Sequence, residues 1–165
     1  MKKIALILLT GWLSIGLFWG SIPSAAAMAS PQPTGMSSAA IDNTASFSEV
    51  DKFLQAIPSD YYAVQQIGAL KGMLQDKEAQ LIDVREPSEF RNGHIPGAMN
   101  IPVRSLTHNL DKIPKDRPAV LYCSSGYRTA MGVMALQMLG YRNIRGFPPS
   151  LQGWKASGEP IVRSD

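Results

Sequence analysis

From residue 61 onward, short apolar runs alternate with apolar residues at helical spacing. "YYAV" (61–64) suits a short strand, while Ile67, Leu70, Met73 and Leu74 share one helical face. "QLIDV" (80–84) reads as a buried strand, "PSEFRNG" (87–93) as one helical turn closed by glycine, and "AMNIPV" (98–103) as an extended segment. Leu106, Leu110 and Ile113 predict a helix stopped by Pro114; "AVLYC" (119–123) predicts a strand. Residues 127–139 predict a helix ended by Gly140, "NIRGF" (143–147) a strand, and 150–157 a last helix. This alternation argues for an α/β domain with a mainly parallel sheet. "LIDV" and "AVLY" are apolar at nearly every position, as in strands buried on both faces. In such sheets reactive groups gather at the carboxyl ends of the strands. Asp83 and Cys123 both fall there, which predicts that they are neighbours.

The front of the chain follows another pattern. Two lysines precede an apolar run from Ile4 to Ile22, and small residues follow. This is the layout of a secretory signal over residues 1–27, with Ala25-Ala26-Ala27 or Ala27-Met28-Ala29 as the cleavage site. The expectation is export, to a periplasm. The run is long for a signal, so the alternative is an uncleaved anchor at 4–22 with the domain outside the cytoplasm. Only that alternative brings a membrane into contact with the protein. Residues 28–45 are rich in Ala, Ser, Pro, Gly and Thr and read as a flexible tether. Ser46 to Glu49 fits a capping box that starts an extra helix within 46–60, with Phe47, Val50, Phe53, Leu54 and Ile57 on one face and Pro58 as its stop. The remaining domain would run from 61 to 165.

Charge excludes one class of partner. Without residues 1–27 the chain holds 14 basic and 13 acidic residues, and no basic block occurs. Nucleic acid is not an expected partner. The cysteine count is more telling. Exported proteins pair their cysteines as disulfides, but Cys123 is alone. It is either a buried inert residue or a thiol kept for its chemistry.

Its surroundings, "YCSSGYRT" (122–129), favour chemistry. Cys123 ends a strand, and a helix starts within a few residues. Helix N-termini present unpaired N–H groups and partial positive charge, which lower a thiol pKa; Arg128 would add to this. Gly126 lets the backbone turn its N–H groups inward, and Ser124, Ser125 and Thr129 add hydroxyls. The result is a cradle for an anion or a charged sulfur.

"LIDVREPSEFRNGHIPGAMNIP", "CSSGYRT" and "LQGW" together resemble the rhodanese-like domain, over about residues 62–162. The strand-D-x-R-E motif is matched by Asp83, Arg85 and Glu86, its downstream E-F by Glu89 and Phe90, and the G-H-I-x-G-A-x-N-I-P stretch by residues 93–102. The loop pattern C-x-x-G-x-R-[ST] is matched by Cys123, Gly126, Arg128 and Thr129. The resemblance implies a central, mainly parallel sheet flanked by helices on both faces, with the loop wrapped around its own sulfur. It implies a sulfurtransferase that carries a sulfane sulfur as a Cys123 persulfide, held by N–H groups of Ser124, Ser125, Gly126, Tyr127 and Arg128. The partners would be a small sulfur donor such as thiosulfate and a thiophilic acceptor, or a protein that receives the sulfur. Asp83, Arg85 and Thr129 would brace the loop. No cofactor is implied. The family often has a Gly-Gly pair before the late tryptophan; here the segment is "RGFPPSLQGW", which bears on substrate access.

Spacing separates sulfur from phosphate. Cysteine phosphatases use C-x5-R, but four residues part Cys123 from Arg128. The shorter ring suits one extra sulfur atom. A non-catalytic module that binds a partner, or delivers sulfur only within a complex, is the second reading; a redox-sensing thiol is the third. His94 belongs to a structural turn and His108 to a polar helix face. Neither has ligand spacing to Cys123, so no metal site is expected. Met131, Met134 and Met138 share a helical face and read as core packing. Trp154 reads as packing for the last helix, and Tyr127 as a ring at the pocket mouth.

Overall fold

The computed structural model describes residues 43–164. The expected signal segment and all but the last three residues of the expected tether lie outside the described residues. Among the described residues no helix is long and apolar enough to cross a membrane.

Four parallel strands form the sheet: β1 (Gln80–Asp83), β2 (Met99–Asn100), β3 (Ala119–Tyr122) and β4 (Ile144–Gly146), in spatial order β2-β1-β3-β4. Helices α2 (Ile67–Gln75), α3 (Pro87–Arg91), α4 (Tyr127–Met138) and α5 (Ser150–Ala156) connect or flank them. The period of two along β3 explains the two cores. Ala119, Leu121 and Cys123 face one way, packing with Ile82, Val84, Val133 and Leu136 beneath α4. Val120 and Tyr122 face the other way, packing with Leu81, Leu70 of α2, and Leu151 and Trp154 of α5. Helices therefore cover both faces, and Trp154 packs as the sequence predicts. In the register of β1 and β3, Asp83 stands beside Tyr122, so Asp83 and Cys123 end adjacent strands.

Four local expectations change. Helix α1 spans Asn43–Gln55, so Ser46 lies inside it and does not cap it. Of its apolar face, Val50, Phe53 and Ile57 are half-buried, while Phe47 and Leu54 are exposed. "YYAV" contributes one bridge, Ala63 to Gly146, because Tyr61 and Tyr62 take left-handed turn conformations just before it. The Leu106–Ile113 pattern forms two 3-10 segments, Val103–His108 and Leu110–Lys112. Asn109 breaks them with extended φ −130°, its amide donating to Ser105 O. The methionine stripe of α4 is not core: Met131 is 63% and Met138 41% exposed, and Met134 is half-buried. The buried face belongs to Thr129, Gly132, Val133, Leu136 and Gln137 instead. Gly132 brings the helix against Leu121 so closely that a Cβ there would stand 2.8 Å from Leu121 Cδ2.

Candidate active site

β3 delivers Cys123 to the carboxyl edge of the sheet, and the chain turns through Ser124, Ser125 and Gly126 into α4. Gly126 has φ +100°, and a Cβ on it would meet Pro148 O at 3.1 Å, so the turn needs glycine for two reasons. Helix α5 fixes the loop from outside. Leu151 N donates to Cys123 O and Gln152 N to Ser124 O, both at 3.0 Å. With its carbonyls held outward, the loop turns N–H groups inward, and Gly126 N donates to Cys123 Sγ at 3.1 Å.

This geometry sets the thiol's acidity. Burial pushes the Cys123 pKa up, but hydrogen bonds from the Thr129 hydroxyl and from the N–H groups of Thr129, Ser125 and Gly126 outweigh it and bring it down to about 7. Thr129 Oγ1 is buried and has no hydrogen-bond partner at ordinary distance among the described residues. A negative charge on the Cys123 sulfur would give it an acceptor, and it favours the thiolate accordingly.

Arg128 leaves the first turn of α4 and meets Glu89 of α3. Nη1 donates to Oε2 at 2.6 Å and Nη2 to Oε1 at 2.9 Å. Nη2 also donates to Ser124 Oγ, which donates to Glu89 Oε1 at 3.2 Å. Arg128 holds the Glu89 carboxyl down at about 2. Glu89 in turn raises the Arg128 pKa, with the nearby sulfur of Cys123 adding to the rise. Glu89 serves a second purpose, accepting Glu86 N in the capping box of α3.

Asp83 and Arg85 form a buried pair. Arg85 Nη2 donates to Asp83 Oδ2 at 2.6 Å, and Arg85 Nε lies 3.0 Å from each carboxylate oxygen. Arg85 also donates to Gly93 O at 2.8 Å and lies 6.0 Å from the Tyr122 ring centre. Burial lowers the Arg85 pKa, but Asp83 outweighs it and the net shift is upward. The pair thus ties β1 to the end of the α3 segment that carries Glu89. Tyr127 is 80% exposed at the loop rim. His94 is buried, its Nδ1 2.9 Å from Phe90 O and its ring stacked on Phe90 at 3.6 Å, while His108 is exposed. Among the described residues no group of three or more His, Cys, Asp and Glu side chains could hold a metal ion.

Two residues of the site carried no role in the sequence reading. Glu89 stood only as part of a motif; the signal was an unpaired carboxylate on a one-turn helix near a strand end. Ser150 was the other. It sits in the departing segment "GFPPS" with φ +52°, and its Oγ accepts Cys123 N at 3.3 Å and lies 3.9 Å from Sγ. Phe147 of the same segment is fully buried, and Pro148 lies against Gly126. Nothing in local spacing links position 150 to position 123.

The parallel sheet, the helices on both faces and the cysteine loop at the strand ends define an α/β domain with a single-cysteine site. The family model for the rhodanese-like domain matches residues 67–157, and the chain belongs to that family. It is similar to a sulfurtransferase of Allochromatium vinosum, 35% identical over 52% of this chain and 80% of that one. It is also similar to the thiosulfate sulfurtransferase GlpE of Shewanella oneidensis, 28% identical over 53% of this chain and 87% of that one. A protein of Bacillus subtilis, YqhL, is 40% identical over 47% of this chain, and the chain spans 62% of its length. The human single-domain sulfurtransferase TSTD1 superposes with a TM-score of 0.54 at 28% identity, over 57% of this chain and 95% of that one. A rhodanese-related protein of Thermoplasma volcanium superposes with a TM-score of 0.55 at 30% identity, over 61% of this chain and 99% of that one.

Proposed function

We propose that this protein is a sulfurtransferase that moves a sulfane sulfur, from a donor such as thiosulfate, through a persulfide on Cys123. The observation that carries the reading is a buried free thiol at the carboxyl end of β3, with Gly126 N donating to its Sγ at 3.1 Å, so that the loop's N–H groups hold its pKa down. The Cys123 thiolate attacks the outer sulfur of thiosulfate. A bond forms between Sγ and that sulfur, the donor's S–S bond breaks, and its electron pair leaves with sulfite. The persulfide's negative charge then takes the place of the thiolate among the same donors. A thiophilic acceptor attacks the outer sulfur, and the pair of the broken bond returns to Sγ. Splitting the transfer in this way is covalent catalysis. Arg128 supplies positive charge beside the sulfur, while Glu89 fixes the guanidinium in place. The names of the similar sulfurtransferases support the reading. The lysine-flanked apolar run at the front of the chain supports export, and a lone thiol that carries sulfur needs no disulfide partner.

The test is intact mass after incubation with thiosulfate, beside Cys123→Ser. One added sulfur on the wild type alone, removed by cyanide, is the expected result. No gain with thiosulfate or any other sulfane donor would sink the proposal.

A further inference from the structure

An open groove of about 520 Å³ runs beside the cysteine loop. One wall is α1 and the turn after it, with Phe53, Leu54, Ile57 and Tyr61; the other is the start of α4, with Tyr127 and Met134. No charged side chain lines it. The size falls within the range of small-molecule sites, roughly 300–1,000 Å³, and such sites are mostly apolar. Its aromatic wall is held in a specified place. Tyr61 and Tyr62 have φ of +52° and +57°, a conformation that side chains other than glycine disfavour. Asp60 Oδ1 accepts Tyr62 N at 2.9 Å, and Gly146 bonds the backbone on either side, through Tyr62 O and Val64 N, both at 2.8 Å. Phe53 stacks on Tyr62 with ring centres 6.4 Å apart. Tyr61, Tyr127 and Leu54 nevertheless remain 73%, 80% and 54% exposed.

The groove borders the loop that carries the reactive sulfur. Thr129 lines the groove two positions after Tyr127 in the first turn of α4, and its backbone N–H and hydroxyl both favour the Cys123 thiolate. Ser125 and Gly126 of the loop complete the shared wall. A charged substrate finds no counter-ion among the residues that line the groove, and the guanidinium of the cysteine loop, Arg128, is bound two-fold to Glu89. Hydrocarbon finds apolar carbon that is otherwise left in water.

We infer that this groove holds the hydrocarbon group of an uncharged organic thiol, the acceptor of the sulfur, an inference that rests on Cys123 carrying a transferable sulfur. The acceptor thiol gives its proton to the persulfide. Its thiolate then attacks the outer sulfur, a new S–S bond forms, and the bond to Sγ breaks. That electron pair stays on Sγ as the Cys123 thiolate, and the product leaves as an organic hydropersulfide. Atoms and charge balance without an added oxidant or reductant.

The test loads the full-length protein with thiosulfate, removes the excess, and times discharge by ethanethiol, 1-butanethiol and 1-hexanethiol at equal thiolate concentration. Loss of one sulfur is read by intact mass, and each rate is divided by the same protein's rate with cyanide, which has no hydrocarbon. Burying each added methylene gives about two- to fourfold, so the ratio rises at least about tenfold from ethanethiol to 1-hexanethiol. In Leu54→Asp, a substitution at a half-exposed side chain that empties no core, the rise falls below about threefold. Equal ratios for the three thiols, or an undiminished rise in Leu54→Asp, would overturn the inference while leaving sulfur transfer intact. If neither thiosulfate nor any other sulfane donor loads sulfur, the proposed function has failed separately, and the groove is judged by amide shifts on adding hexyl methyl sulfide, an unreactive thioether. Shifts confined to Gly126, Tyr127, Thr129 and α1 support it, and none at millimolar thioether overturns it.

Discussion

Glu89 and Arg128, 39 residues apart, close a two-bonded ion pair at 2.6 and 2.9 Å directly beside the reactive cysteine. The pair joins α3 to the first turn of α4. It holds Arg128 in a fixed orientation and cancels part of its charge. The thiol's low pKa therefore comes chiefly from hydrogen-bond donors that point at the sulfur, with the arginine as a clamped auxiliary.

Removing the cancelling charge exposes that balance. In Glu89→Gln the amide preserves shape, but Arg128 acts on the sulfur unopposed. The Cys123 pKa is expected to fall below its wild-type value, and the pair is partly exposed, so less than about 1 kcal/mol of stability is lost. Alkylation rate against pH measures the first effect and urea unfolding the second. A midpoint that rises would mean Glu89 orients the loop more than it screens the arginine.

The pH dependence of the chemistry follows from the thiol. Only the thiolate attacks sulfur, and the folded pKa is about 7 against an ordinary 9.0. Loading by thiosulfate is expected to rise about tenfold per pH unit below 7 and to level off above it. Thr129→Val keeps the volume but removes the hydroxyl, so the midpoint moves upward toward the ordinary value. Thiolate absorbance against pH reads it directly. The same shift is a stability effect. A depressed folded pKa stabilises the native state fully above pH 9, and this contribution fades as pH falls through 7. Relative to Cys123→Ser, the reduced wild type gains up to about 2 kcal/mol between pH 6 and 9.

What the sequence made legible, and what it did not, divides by range. "LIDV" and "AVLY" announced buried parallel strands because nearly every position is apolar, and they pair in register with Asp83 beside Tyr122. "CSSGYRT" announced the loop because strand, turn and helix start are contiguous there. The methionines of α4 misled because Thr129, Gly132 and Gln137, polar or small, occupy the buried face against β3, and apolar periodicity selected the opposite side. Glu89 and Ser150 could not be assigned from spacing, since their partners lie 39 and 27 residues away. Their roles depend on how α3 and α5 dock on the sheet.

Ser150 tests that docking. It is fully buried, holds an unfavourable φ of +52°, and accepts Cys123 N while donating to Phe147 O at 2.9 Å. Ser150→Ala leaves the strain in place and orphans a buried N–H, at a cost of about 1–2 kcal/mol. Ser150→Gly orphans the same N–H but relieves the strain, so it is expected to be the milder change. Chemical denaturation of the two variants gives the order. Alanine milder than glycine would mean that the strain at 150 is small.

Asp83 and Arg85 give the sharpest stability contrast. Asp83 is fully buried and Arg85 only 4% exposed, so neither charge can turn to solvent without unpacking the α3 segment. Asp83→Asn leaves the Arg85 guanidinium buried without its counter-charge, with Gly93 O and one amide oxygen as its remaining neutral acceptors. Breaking one half of such a pair costs about 3–5 kcal/mol. The double variant Asp83→Asn with Arg85→Met removes both charges and recovers most of the loss, because the pair's Coulomb gain and its desolvation cost nearly cancel. Urea unfolding of wild type, single and double variants closes the cycle. The pair lies one strand from the cysteine and donates nothing to Sγ, so folded Asp83→Asn protein keeps a Cys123 alkylation midpoint near 7. A midpoint that moved with Asp83→Asn alone would show that the buried pair acts on the sulfur as well as on the fold.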